Sequence, residues 1–254
     1  MAQVTTEALA LRRTPFGETS QIAEFLTRDA GRVSLILKGV HREKCRMGGP
    51  VDLLDHCVVT WHSRRGSRTL APLRERRLIS HHPGLRSRED LLGAGLSLVE
   101  LLRALVPEGQ RMTAIFEHSV AFLAALEARP APAAVPAIVF ALEGGLLRMT
   151  GFQPVLDRCV LCERRPSGQR SLRCDPGRGG LVCSACRRPE DDTFPLSAEA
   201  AELVTRLSGR SPRELAELQP SARIEADVRR YFWRIWTHVL ERQPRSLASP
   251  ERRA

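Results

Sequence analysis

The chain is short of lysine and of aromatic rings. Lys38 and Lys44 are the only lysines among 39 basic residues, and aromatics make up 5% of the 254 residues, with a single tyrosine. So few rings exclude a broad platform for stacking planar ligands. No run of eighteen apolar residues occurs, which argues against a membrane span. The opening Met1-Ala2-Gln3-Val4-Thr5 carries neither a basic n-region nor an apolar h-region. The expected location is therefore the cytoplasm, where thiols stay reduced and free to hold metal. Catalytic signatures are missing as well. There is no G-x-x-x-x-G-K-[ST] phosphate loop and no G-x-S-x-G elbow, so an enzyme is not expected.

What is abundant is arginine, and its placement is uneven. The formal net charge is +10, and residues 1–80 hold fourteen Lys/Arg against eight Asp/Glu. That asymmetry favours an anionic partner for the first third of the chain, and nucleic acid over a membrane surface, because no basic amphipathic helix lies there. The strongest electrostatic feature is Lys38-Gly39-Val40-His41-Arg42-Glu43-Lys44-Cys45-Arg46, with Gly48 and Gly49 behind it. Glycines let the backbone approach a phosphate chain, and the cations would track it. The plainer reading is an ordinary solvated loop. A second basic stretch holds Arg64, Arg65, Arg68, Arg74, Arg76 and Arg77. With few rings nearby, binding would lean on phosphates, with low sequence specificity and strong salt dependence.

Hydrophobic patterning divides the chain. Runs at 6–13, 20–27, 32–38, 54–63 and from Arg68 read as five short strands, separated by turn clusters such as Pro15-Phe16-Gly17 and Asp29-Ala30-Gly31. Pro72 suggests an edge or a bulge. Five such strands suit a small OB-fold barrel. From Glu89 the apolar spacing turns helical, over about 89–105, 113–126 and 137–150, and again from Ser197 and over about 223–242. The expected fold class is α+β: an N-terminal OB-fold β-barrel over 1–80, then an α-helical domain over 81–242 with an inserted four-cysteine zinc finger over 151–192, and a disordered tail over 243–254.

The insert rests on Cys159-Val160-Leu161-Cys162 and Cys183-Ser184-Ala185-Cys186. Two C-x-x-C pairs at this spacing point to one tetrahedral zinc site of four thiolates. A redox pair would want a strand–helix frame, and a catalytic zinc an open position. Four thiolates close the site, so the zinc is expected to be structural. Cys174 is either a spare ligand or an unliganded thiol in a turn. Elsewhere the chain offers little chemistry. His81-His82 reads as a surface turn without nearby acids, Asp52 and Asp55 have nothing nearby to complete a site, and Glu190-Asp191-Asp192 reads as a solvated acidic turn. Gly93-Ala94-Gly95 reads as close helix packing. On the last helix, Trp233 falls off the main apolar stripe. Exposed beside Arg229, Arg230 and Arg234, it would suit an acidic, hydrophobic peptide.

One further signal is the ordered set of local motifs. Ala8 to Ser20 with its Thr14-Pro15-Phe16-Gly17-Glu18-Thr19-Ser20 ending, Leu26-Thr27, Gly31, Lys38-Gly39-Val40-His41-Arg42, Arg46-Met47-Gly48-Gly49, Gly151 to Cys159 and Gly179-Gly180-Leu181-Val182-Cys183 together resemble the bacterial RecO family of DNA repair proteins. The resemblance runs to about residue 240. It implies an N-terminal OB-fold, a helical domain carrying a zinc finger, and a recombination mediator without turnover, nucleoid-associated in the cytoplasm. It implies binding of single- and double-stranded DNA, annealing of complementary strands, contact with the acidic tail of single-stranded-DNA-binding protein, and loading of recombinase together with RecR. Lys38, Arg42 and Arg46 match the family's basic loop, and His41, Lys44, Arg64, Arg65 and Arg68 are the accompanying DNA-contact candidates. The alternative is a zinc-ribbon transcription regulator, which would read one DNA sequence.

Overall fold

The computed structural model describes residues 2–43, 45, 47–63, 70–166, 171–207 and 220–247. It divides into two compact units, Met1–Leu123 and Ala124–Ala254.

In the first unit, β1 (Ala2–Phe16), β2 (Ser20–Thr27), β3 (Gly31–Leu37), β4 (His56–Ser63) and β5 (Ala71–Ser80) close into a barrel in the order β1-β2-β3-β5-β4. Every neighbouring pair is antiparallel except β3 and β5, which meet in parallel through Leu35↔Ala71 and Ile36↔Pro72. Pro72 has no N–H to give a ladder, and it sits at this short seam. The order is that of an OB-fold, and the β3–β5 seam closes the barrel. Alternation along β1 is broken by a bulge between Ala10 and Arg12. Inside, Phe25, Leu35, Leu37, Val59, Trp61 and Leu73 pack around the small side chains of Ala8, Ala10, Ala23 and Cys57. Burial pushes the Cys57 thiol up to about 12, so it is an inert packing group.

Three helices belong to this unit or begin in it: α1 (Pro83–Arg86), α2 (Glu89–Leu105) and α3 (Thr113–Glu127), the last crossing the division between the units. They are clipped to the barrel by specific contacts. Glu24, nearly buried, accepts from Arg32 at 3.0 Å and from Arg103 of α2 at 3.3 Å, and Arg32 also donates to the Val106 carbonyl at 2.9 Å. Gly31 turns β2 into β3 at φ +69, and a Cβ there would lie 2.1 Å from the Gln110 carbonyl oxygen. Gly95 packs as its motif suggested: a Cβ would come 2.7 Å from Leu54 and 3.2 Å from Leu85. The strands end near residue 80, as read from the sequence, whereas the compact unit runs on to Leu123.

The second unit is built from α4 (Val135–Thr150), α5 (Ala198–Leu207) and α6 (Ala222–Val239) with a small sheet of β6 (Val155–Cys159), β7 (Ser171–Asp175), β8 (Gly180–Leu181) and β9 (Phe194–Ser197). The sheet order is β6-β8-β7-β9. Gly151 ends α4 in the left-handed region at φ +82. Ser197 Oγ accepts from Ala200 N at 3.3 Å, capping α5, and Ser221 caps α6 through Ile224 N. The stretch Pro132–Thr150 is long and apolar enough to cross a membrane, but Ile138, Phe140, Leu142, Leu146 and Leu147 are buried in the protein's own core. The tail expected to be disordered from 243 includes a buried Pro244, and residues 248–254 lie outside the described residues.

The centre of this unit is aromatic. The Phe140 and Phe232 rings stack at 5.7 Å, and Tyr231 meets Phe232 edge-on at 5.0 Å. Beside them Glu143 is 2% exposed. Burial pushes its carboxyl from 4.5 up to about 8, against the opposing pull of Arg229. Between those two values the folded protein holds a proton that the unfolded chain has lost. Stability must therefore fall as pH rises through this window. Glu143→Gln is expected to flatten that fall, read as a smaller difference in urea midpoint between pH 5.5 and pH 8.5. An undiminished difference would show that Glu143 is not its source.

Candidate nucleic-acid interface and metal centre

The segment after β3 is folded down onto the barrel. Val40 and Val51 are buried, and Cys45 and Met47 pack against the barrel core. Its backbone is held at several points. Gly39 N donates to Ser20 Oγ at 3.4 Å and His41 N to the Thr19 carbonyl at 3.1 Å. The buried Gln21 amide donates to the Val51 carbonyl at 3.1 Å and accepts from Val51 N at 3.0 Å. Gly39, Gly48 and Gly49 adopt positive φ, as the loop's tight course requires. On this frame Lys38, His41 and Arg42 are exposed. Lys38 and Arg42 have no carboxylate partner among the described residues. Lys44, Arg46, Arg64, Arg65 and Arg68 lie outside the described residues.

Arg76 is a correction to the basic-stretch reading. Arg74 and Arg77 are exposed on β5, but the Arg76 side chain is 3% exposed. Its guanidinium donates to the carbonyls of Met47 at 2.9 Å, Gly48 at 3.2 Å and Gly49 at 3.0 Å. It also stands 3.7 Å from the fully buried Asp55. It is thus a clamp on the loop and not a surface cation.

Asp55 corrects the reading of His81-His82 as a turn without nearby acids. It has three basic neighbours: Arg76, His81 at 2.8 Å and Arg86 at 3.6 Å. Its Oδ2 also accepts from Asp52 N at 2.9 Å. Asp52 in turn pairs with Arg13 at 2.9 Å and Arg86 at 3.2 Å. His81 therefore does have an acid beside it, and His82 is buried, its ring stacked 6.5 Å from that of His56. These groups are far apart in sequence, so no local spacing announces them. The network is a brace beneath the basic loop.

In the second unit, the four sulfurs of Cys159, Cys162, Cys183 and Cys186 lie within 4.8 Å of one another. Those of Cys162 and Cys183 are 3.7 Å apart. A metal at the usual ~2.3 Å from four thiolates would set its ligands about 3.8 Å apart, so the spacing fits. The knuckles are shaped by backbone hydrogen bonds, from Glu163 N to the Cys159 carbonyl at 2.9 Å and from Cys186 N to the Cys183 carbonyl at 3.1 Å. Burial raises the Cys159 thiol, but N–H groups of Cys183, Leu161 and Cys162 aimed at its sulfur outweigh this and hold it at about 6. Cys186, beside the Cys183 and Cys162 sulfurs, is pushed up to about 12. A bound dication resolves that conflict by letting all four act as thiolates. Cys174 is fully buried on β7, outside the cluster, with its thiol raised to about 12 chiefly by burial. It is the unliganded alternative of the two.

The remaining sequence-picked groups are mostly occupied. Trp233 is buried, not exposed. Helix α6 packs against α4, α5 and β9, so its buried arc is wider than a single stripe and takes in Tyr231, Phe232 and Trp233 in succession. Arg229 pairs with Glu225 at 2.6 Å and Arg230 with Asp227 at 3.2 Å. Arg234 is bonded to Asp192. Asp191 is not solvated either: it accepts from Arg188 N at 2.8 Å and from Arg178 at 2.7 Å, and both hold its carboxyl below the usual range.

Comparison with known proteins accords with this architecture. The family model for the N-terminal part of recombination protein O matches residues 1–81, and that for its C-terminal part matches residues 87–248. DNA repair protein RecO of Rhodopirellula baltica is 30% identical over 222 residues, covering 87% of this chain and 78% of that protein. Its counterpart in Anaeromyxobacter sp. (strain K) is 31% identical over 207 residues, 82% of this chain and 80% of the other. That of Rubrobacter xylanophilus is 30% identical over 256 residues, 98% and 97% of the two chains. With both halves matched in order, and with the barrel and the four-cysteine cluster each in its expected half, this chain belongs to the recombination protein O family of DNA repair proteins.

Proposed function

We propose that this protein is a recombination mediator that binds single- and double-stranded DNA through the basic loop of its barrel and anneals complementary strands. The observation that carries this reading is the loop itself. Lys38 and Arg42 face solvent while the loop backbone is fixed by Gln21 and Arg76. Two strands repel through their phosphates. A fixed row of cations lowers that repulsion and leaves base edges free to pair. Lys38, Arg42 and Arg46 are the main contacts proposed, and His41, Lys44, Arg64, Arg65 and Arg68 are the accompanying candidates. No bond is made or broken, so the protein acts without turnover.

The metal that suits four closed thiolates is zinc, in a structural role, held by Cys159, Cys162, Cys183 and Cys186. Membership of the family supports loading of recombinase on strands coated by single-stranded-DNA-binding protein, together with RecR, at the nucleoid in the cytoplasm. For the acidic tail of the coating protein, Arg229 and Arg230 are the residues to test. Both would have to leave their own acids to take it.

Lys38→Ala and Arg42→Ala are each expected to weaken DNA binding and to lower the slope of log affinity against log salt by about one unit. Fluorescence anisotropy with a labelled oligonucleotide over a salt series measures both. Unchanged affinity at low and high salt would sink the reading, and strand annealing in the presence of the coating protein tests its second half.

A further inference from the structure

Phe16 is the one exposed Phe, Tyr or Trp ring among the described residues of the barrel unit. Half of its surface faces solvent, while Phe25 and Trp61 are buried in the core. The ring stands at the end of β1, paired across the hairpin with Ser20, and Gly17 makes the turn at φ +62 with open space around it. The hairpin is tied directly to the basic loop. Ser20 Oγ accepts from Gly39 N, and the Thr19 carbonyl accepts from His41 N. The ring is therefore two cross-strand steps, through Ser20, from the segment that carries Lys38, His41 and Arg42.

We propose that Phe16 is a stacking platform for one unpaired nucleobase, placed beside the cations that take the phosphates. The inference rests on the DNA-binding reading above and names the part of the ligand that phosphate contacts leave unread. In a single strand the base is joined to its phosphate by one sugar, so a cation and a ring at neighbouring positions can hold both at once. Every base has a π-face, so the contact carries no sequence preference. A duplex cannot use it, because its bases are already stacked on one another. The ring thus gives a phosphate-driven surface a means of telling one strand from two. Strand pairing on both sides of the turn fixes the backbone that carries the ring, so less freedom is lost on binding.

The test compares a thymidine oligonucleotide with an abasic strand of the same length and charge, and with a duplex. The intact protein is expected to bind the thymidine strand about 5- to 140-fold more tightly than the abasic one, the span of ~1–3 kcal/mol per stacked base. Phe16→Ala removes that difference and leaves the abasic affinity, the duplex affinity and the salt slope unchanged. Phe16→Leu, which keeps an apolar side chain at the strand end, does the same and separates lost stacking from lost folding. Phe16→Trp keeps the difference, and its fluorescence is quenched by thymidine but not by the abasic strand. A thymidine preference that survives Phe16→Ala and Phe16→Leu overturns the proposal. Absence of salt-dependent binding to the abasic strand would instead overturn the DNA-binding reading beneath it.

Discussion

Stripping the metal from Cys159, Cys162, Cys183 and Cys186 is expected to unfold the segment between α4 and α5 while the barrel keeps its grip on DNA. The sheet there is slight: β6, β7 and β9 have four or five residues each, and β8 has two. A structural zinc supplies about 10–16 kcal/mol of apparent binding energy at neutral pH, against the ~5–15 kcal/mol by which a whole domain is stable. A sheet this small is expected to depend on a contribution of that size. Cys162→Ser isolates it, because Cys162 is exposed and its sulfur belongs to the cluster without core packing. The variant should lose bound zinc by atomic absorption and melt early by circular dichroism. Cys174→Ser, outside the cluster, should keep one zinc per chain. If chelation left the melting curve unchanged and abolished DNA binding, the division of labour between the two halves would be wrong.

Arg76→Met should produce the second large effect, and in the other unit. Its guanidinium satisfies three successive carbonyls of the basic loop and faces a carboxylate with no exposure. Removing one partner of a buried charge pair costs about 3–5 kcal/mol, enough to lower the melting temperature of the barrel unit by on the order of 10 °C. Met47, Gly48 and Gly49 would lose their anchor, and the loop would become a freer chain. DNA affinity should fall with the salt slope intact, because the Arg76 guanidinium is buried and already taken by the loop carbonyls and Asp55. That separates it from Lys38→Ala and Arg42→Ala, which lower the slope. Arg76→Lys keeps the charge but cannot span three carbonyls, and should recover stability only in part. A slope reduced by a full unit in Arg76→Met would make Arg76 a DNA contact after all.

The contrast between these sites reflects what a linear sequence can carry. The barrel was legible because its turns fall at Pro15-Phe16-Gly17 and Asp29-Ala30-Gly31, where local chemistry forces the chain to reverse. The cysteine cluster was legible because a metal knuckle fits within four residues. The β6–β9 sheet was not, since runs of two to five residues are too short to show a period. Strand β5 extends further than its apolar residues suggest: Arg74, Glu75 and Arg77 face solvent, and Leu78 and Ile79 are exposed too. Trp233 misled because a helix covered from several sides buries more than one stripe. Asp55, Arg76 and His81 carried no signal at all. A pairing across 21 or 26 positions looks, in the sequence, like separate surface charges.

The clip between Glu24, Arg32 and Arg103 also bears on how such a protein can be taken apart. A gene fragment ending at Ser80 would encode all five strands. It would also leave Arg32 without the Val106 carbonyl, Glu24 without Arg103, and the Gly31 turn without the Gln110 backbone it was shaped to meet. A fragment meant to keep the barrel's contacts must therefore run on through α3 to Glu127.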